Sequence, residues 1–334
     1  MIRVAINGFG RIGRTFLRTV LQDSSCLKKI NVVAINIGPA NSKNVAHMFK
    51  HDSVMGIYPG SVSMSDERLL VDGHKITIIS ELDPEKTEWK NFSVDWVVES
   101  SGHFTKREGA EKHLKAGAKS VLISAPADGE DVTIIPGVND HEYKKETHKI
   151  VSLGSCTTNA IVPMVDVLHK IFGIKQGFMT TVHAYTNTQA LLDVERKDVR
   201  RSRAAAINII PTTTGATKVL GKIIPELGEA ISGVSLRVPV ADVSLIDFAF
   251  VSEKKLSVSS MKKAFEDASQ KRLKNILNVS NEELVSSDYI GNPYSVVIDV
   301  PLLDARENMG KVFGWYDNEW GYSSRLKDFL CSVA

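Results

Sequence analysis

Six residues near the N-terminus restrict the fold of this chain more than any other stretch: Gly8-Phe9-Gly10-Arg11-Ile12-Gly13, directly after the β-branched run "IRVAIN". The segment that follows, "RTFLRTVLQD", places Phe16, Leu17, Val20 and Leu21 at helical spacing. A strand, a G-x-G-x-x-G turn and a helix in that order open a dinucleotide-binding β-α-β unit. The first glycine permits the tight turn, the second lets a pyrophosphate approach the backbone, and the third lets helix and strand pack closely. Amides at the helix start then face the phosphates, and the helix dipole adds to the attraction.

The unit closes with "INVVAIN", a continuous apolar run of the kind found in parallel strands covered on both faces. Further strands are readable in "HKITII", "VDWVVES", "KSVLIS", "VTIIPGV" and "KIVSL", and "REGAEKHLKAGA" reads as a helix ended by Gly117. This alternation predicts an α/β fold with a Rossmann-type doubly wound, mostly parallel sheet. After Cys156 the pattern changes to one long helix, a polar Arg-rich stretch from 187 to 203, and longer strands such as "VSLIDFAFV" and "YSVVIDV". Strands with few crossover helices predict an α+β second domain with a mostly antiparallel sheet. A length of 334 residues suits two domains. The expected division is 1–154 for the dinucleotide-binding domain, completed by a C-terminal helix over 316–334, and 155–315 for the second.

A net charge of +2 supplies no general attraction for nucleic acid. The three cysteines, Cys26, Cys156 and Cys331, contain no CxxC pair, which argues against a zinc ribbon, a metal site or a disulfide framework. It suits a reducing cytoplasm. No apolar run approaches the ~18–20 residues that span a bilayer, and the N-terminus passes straight into strand and turn without a signal-peptide core.

The second strand of the β-α-β unit raises a difficulty. NAD sites of this type end that strand in Asp or Glu, which bonds the ribose hydroxyls. Here it runs into Asn36, Ile37, Gly38 and Pro39, and no acidic residue occurs between Asp23 and Asp52.

"LGSCTTNAIVPMVDVLHKIF" places Cys156 at the mouth of a helix among Ser155, Thr157 and Thr158. Amides and dipole at a helix start favour a thiolate and can hold an oxyanion. A serine cap beside a small core thiol explains the same letters equally well. His183 ends the apolar strand "FMTTVHA", a place suited to a general base, although a lone histidine is more often structural. Arg200, Arg201 and Arg203 precede "INIIPTTTGAT", and Arg237 sits in "SLRVPV". Guanidinium forks beside a Thr/Gly turn suit a phosphate, whereas a charge run by itself is a solvated face.

Together "INGFGRIGR", "SGHFTKREGAEKHLKAGAK", "SCTTN", "TTVHAYTNTQ", "RRSRAAAINIIPTTTGA", "LRVPV" and "WYDNEWGYS" resemble the phosphorylating glyceraldehyde-3-phosphate dehydrogenases essentially end to end. The resemblance implies that Cys156 attacks the aldehyde while His183 acts as base, that hydride leaves to the nicotinamide, and that inorganic phosphate releases the thioester as 1,3-bisphosphoglycerate. It implies that Ser155, Thr157, Thr186, Arg201, Thr214, Gly215 and Arg237 bind the two phosphates. For the cofactor it implies Asn7, Gly8, Gly10, Arg11, Ile12 and Gly13 around the pyrophosphate, Ser124 nearby, and Asn318 on the carboxamide. It further implies a cytoplasmic homotetramer of glycolysis and gluconeogenesis, with the 187–203 stretch in a subunit interface.

Departures from the family pattern concentrate at the ribose, where Asn36-Ile37 replaces the usual Asn-Asp with one inserted residue. Loss of the acid removes a barrier to a 2′-phosphate without supplying an attraction; Lys43, Lys50 or Arg196 of another subunit are the candidates for one, and Glu195 would oppose it. The expectation is an NAD site that also admits NADP. Ala160 removes the second cysteine of the frequent "CTTNC", and "VPVAD" replaces "VPTPN" after Arg237. The alternative with the same chemistry, erythrose-4-phosphate dehydrogenase, usually departs from the "PTTTGA" retained here. A noncatalytic scaffold is disfavoured because Cys156, His183 and the arginines are all present.

Overall fold

The computed structural model describes residues 1–334, and in it the run Ile2–Asn7 is the middle strand of a nine-stranded sheet. Its neighbours are Ile30–Asn36 and Trp96–Glu99, both parallel to it, so the chain crosses over to opposite sides of the first strand. The register brings Asn7 level with Asn36 on one side and Glu99 on the other. A crevice at the carboxyl ends of such strands, where the strand order reverses, is the binding position of open α/β sheets. Ser120–Ile123, Ile150–Ser152 and Val132–Thr133 extend the sheet in parallel beyond Trp96–Glu99. On the other edge His74–Ile79 is parallel, and Arg68–Val71 and Val62–Ser65 add antiparallel strands.

Two compact units are present: residues 1–136, 140–154 and 323–334 form one, and residues 137–139 and 155–322 the other. Residues 316–322 thus group with the second unit, and the division falls inside the final helix, Trp320–Val333.

The second unit holds an eight-stranded sheet in which Ile174–Ala184 pairs antiparallel with Ser244–Ser252, and that strand with Met309–Tyr316. Two pairings are parallel, Ile174–Ala184 with Ile231–Val238 and Leu277–Ser280 with Val296–Asp299, so the sheet is mixed and mostly antiparallel. Strict alternation of buried and half-buried residues along Ser244–Ser252 gives the sheet one covered face. The helix Cys156–Phe172 packs on it and is buried almost all round, and Gly314 leaves the space that Met164 fills. Of the predicted strand "VTIIPGV" Val132–Thr133 forms the strand and Ile134 N adds one bond to Ser152 O at 2.9 Å before the chain turns away at Pro136-Gly137.

Candidate functional site

In the first unit a cavity of about 650 Å³ opens over the glycine turn, lined among others by Asn7, Gly10, Asn36, Gly38, Glu81 and Ser101. Gly8 sits at φ +92°, and a side chain there would overlap the backbone of Ser101. A Cβ on Gly13 would fall 2.2 Å from Gly8 O, so helix and turn pack at a distance only glycine permits. Gly10 differs, since a Cβ there meets nothing within 4 Å and would project into open space. Gly10 caps the helix Arg11–Leu21 without a side-chain cap bond, and no acid occupies the first turn. Open backbone, free helix start and cavity fit a pyrophosphate.

The strand ends beneath the cavity are locked by buried polar groups. Trp89 Nε1 donates to His113 Nδ1 at 3.0 Å, so His113 carries its proton on Nε2 and donates to Glu99 at 2.9 Å. Glu99 also accepts from Asn7 Nδ2 at 2.6 Å and from the amide and hydroxyl of Ser101. Asn7 Oδ1 accepts from Asn36 Nδ2, which also donates to Glu81 O, while Asn36 Oδ1 accepts from the amides of Gly38 and Glu81. Asn36 therefore spends its amide on the frame and none of it on a ligand. Glu81 is the one acidic residue on the cavity wall, delivered from another strand end and invisible to a search after the second strand. Lys50 is committed to the carbonyls of Tyr58 and Gly60, Lys43 is exposed, and Arg11 pairs with Asp52. Ile12 is half-buried, and Ser124 donates to Glu99 O.

In the second unit Ser155 caps the helix Cys156–Phe172, its Oγ accepting from Thr158 N at 3.1 Å. That cap and the thiol coexist, so both readings of the motif hold. Cys156 Sγ lies 3.6 Å from His183 Nε2. His183 Nδ1 donates to Ala184 O at 2.7 Å, and Arg237 Nη1 donates to the same oxygen at 3.0 Å. Arg237 Nη1 also stands 3.0 Å from Nδ1, a donor beside a donor, so the carbonyl is their shared acceptor. With the proton on Nδ1, the Nε2 lone pair faces the thiol. Arg237 arrives there because it is the direct parallel-strand partner of His183. Its Nε is buried without an acceptor in the protein.

Burial pushes the Cys156 thiol up, and Arg237 and the helix-start groups pull it back only in part. The helix-start groups pull toward the thiolate, the sign expected from the sequence, and burial opposes them. Burial also holds the His183 imidazole down, to about 3, with the charges of Arg237 and Arg201 acting in the same direction. Burial thus acts on both partners in the direction of their uncharged forms.

Arg201 reaches the site's edge through Thr212 Oγ1 at 2.9 Å. Thr214 Oγ1 accepts from Ala216 N, and Gly215 precedes the helix Ala216–Ile223. Thr186 bonds Thr188 Oγ1 at 2.9 Å. The Thr157 hydroxyl is bonded to Tyr316 OH, which also bonds Thr181, and both the hydroxyl and the amide of Thr157 draw the thiol down. Tyr316, whose ring lies edge-on to His183, was not singled out from sequence, although alternating burial along Met309–Tyr316 points it inward. Asn318 is buried, its Oδ1 accepting from Ser244 Oγ at 2.8 Å.

Two family models match the chain: "Glyceraldehyde 3-phosphate dehydrogenase, NAD binding domain" over residues 2–107 and "Glyceraldehyde 3-phosphate dehydrogenase, C-terminal domain" over 155–318. The glyceraldehyde-3-phosphate dehydrogenase of Geobacillus stearothermophilus is 47% identical, over 100% of this chain and 98% of its own. Glyceraldehyde-3-phosphate dehydrogenase 2 of Trichormus variabilis is 46% identical over 100% and 99%, and that of Bacillus subtilis 43% over 100% and 97%.

Proposed function

The chain belongs to the glyceraldehyde-3-phosphate dehydrogenase family, and from that premise we propose that it oxidises D-glyceraldehyde 3-phosphate with inorganic phosphate and NAD to 1,3-bisphosphoglycerate in the cytoplasm. The observation that carries the reading is the 3.6 Å approach of Cys156 Sγ to His183 Nε2 beside Arg237. As sulfur bonds the aldehyde carbon, Nε2 takes the thiol proton and returns it to the new alkoxide, and as hydride leaves the hemithioacetal Nε2 accepts that hydroxyl proton. Bound NAD supplies the hydride acceptor, and Asn7, the glycine turn, Arg11, Ile12, Ser124 and Asn318 are the residues assigned to hold it. The thioester on Cys156 is cleaved by phosphate, with Arg237 and Arg201 neutralising the anions and Ser155, Thr157, Thr186, Thr214 and Gly215 as further donors.

The cofactor preference we infer is NAD, with weaker acceptance of NADP. Asn36 is engaged in the frame and Lys50 elsewhere, while Glu81 places a carboxylate-bearing residue on the cavity wall.

Steady-state rates with the triose phosphate and inorganic phosphate, using NAD and NADP in one preparation, test the whole. A rate requiring phosphate and abolished in Cys156→Ser, which still binds NAD, is the expected result. Robust turnover by Cys156→Ser would overturn the covalent mechanism, and a rate only with erythrose 4-phosphate would reassign the substrate.

A further inference from the structure

Cys26 and Cys331 take no part in the chemistry above, and the fold of the first unit brings them together across 305 positions of sequence with their sulfurs 2.9 Å apart. Both are free thiols. Cys26 lies in the turn after the first helix and is 1% exposed, whereas Cys331, in the helix Trp320–Val333, is partly exposed. The backbones carrying them are clamped on both sides of the pair. Asp23 Oδ1 accepts from the amides of Ser25 and Cys26, and its other oxygen pairs with Lys327 Nζ at 2.7 Å. Lys29 Nζ donates to Cys331 O at 3.1 Å. Two sulfurs so held need to close by less than an ångström to reach the ~2.05 Å of a disulfide bond.

We propose that Cys331 and Cys26 form a reversible two-electron modification site whose oxidant is a small hydroperoxide. The two thiols have different roles. Contact with Cys26 and the charge of Lys327 draw the Cys331 thiol down, while the neighbouring sulfur and burial push Cys26 up. Cys331, partly exposed and flanked by the ammonium groups of Lys327 and Lys29, is the attacking thiolate. Its sulfur bonds the terminal peroxide oxygen, the O–O bond breaks, and the departing alkoxide or hydroxide takes up a proton to leave as alcohol or water. The sulfenic acid on Cys331 is then attacked by Cys26, the S–O bond breaks, and water leaves with the Cys26 proton. One peroxide is reduced and two thiols are oxidised. A dithiol reverses the change by exchange, as expected for the transient disulfides of reducing compartments. The bond ties the last helix to the turn after the first and closes nearly the whole chain into a loop, which restricts the unfolded state.

A pair of thiols filling core space as small hydrophobes would show none of this. The test uses full-length Cys156→Ser, so that the Cys156 thiol does not consume oxidant. After exposure to dilute hydrogen peroxide, the protein is denatured in N-ethylmaleimide and weighed intact. The expected result is a loss of two hydrogens and no maleimide adduct, a cross-linked Cys26–Cys331 peptide on digestion, and a melting temperature raised by several degrees. Dithiothreitol should restore two adducts and the original melting point. In Cys156→Ser/Cys331→Ala the Cys26 thiol should remain alkylatable after the same exposure. Two adducts persisting after peroxide, Cys331 as sulfinic acid beside a reduced Cys26, or a disulfide only between subunits would each overturn the proposal.

Discussion

Replacing the Arg237 guanidinium by a neutral amide changes two titrations at once. Its charge lowers the Cys156 thiol pKa and lowers that of His183, so Arg237→Gln must raise both. The alkylation rate of Cys156 by iodoacetamide follows the thiolate fraction, and its rise with pH should move up by about one unit, or about 1.4 kcal/mol. An inflection that stays in place would show the charge to be screened from the sulfur. His183→Asn removes the proton acceptor and should slow alkylation at neutral pH; unchanged kinetics would dismiss it as the activating base. Glu81→Gln removes a carboxylate from the cofactor cavity and should shift the ratio of NAD to NADP affinity toward NADP by about tenfold, a change of about 1.4 kcal/mol. Fluorescence titration of both nucleotides reads that ratio, and an unchanged ratio rules Glu81 out. Cys156 and His183 were legible because each stands at a recognisable junction, a helix start and a strand end. The Arg237–His183 partnership was not, since strand register leaves no local signal, and neither was Cys26–Cys331, whose proximity is purely tertiary.

Two glycines of one turn should respond oppositely to the same substitution. Gly13→Ala places a methyl 2.2 Å from Gly8 O, backbone that cannot yield without moving the helix start off the strand. Overpacking of this kind costs about 1–3 kcal/mol, so the melting temperature should fall together with NAD affinity. Gly10→Ala meets no protein atom within 4 Å and should leave the melting temperature unchanged while weakening NAD at least tenfold, because its methyl enters the space left for the pyrophosphate. Thermal unfolding and nucleotide titration separate the cases, and equal losses in both variants would contradict the division of roles. The turn and its strands were readable because apolar runs and glycine spacing are local. The stretch "VTIIPGV" misled because an apolar run buried under other residues has the same letters as a paired strand; Ile134 and Ile135 are fully buried yet lie outside it. The parallel pairs of the second sheet also had no local marker.

The sheet of the second unit covers one face with the helix Cys156–Phe172, and the other carries apolar residues beside Thr180 and the Asp247–Lys311 ion pair. Phe178 and Val234 are 72% and 52% exposed, and Val182, Leu236, Leu245 and Phe313 project on the same side by strand alternation and register. Exposed large apolar side chains grouped among polar residues mark an interface. A second apolar group lies in the 187–203 stretch, where Leu191, Leu192 and Val199 are 81%, 74% and 80% exposed. Each patch covered by its copy on another chain gives a two-fold interface, and two different two-folds generate a tetramer with dihedral symmetry. Sedimentation velocity should therefore find a tetramer at micromolar concentration. Phe178→Asp with Val234→Asp puts charge into the first patch alone, so the product should be a dimer that retains the other interface. Dissociation to monomers would mean that the 187–203 patch holds nothing without the sheet face. A wild-type monomer would leave both patches to partners of a different kind.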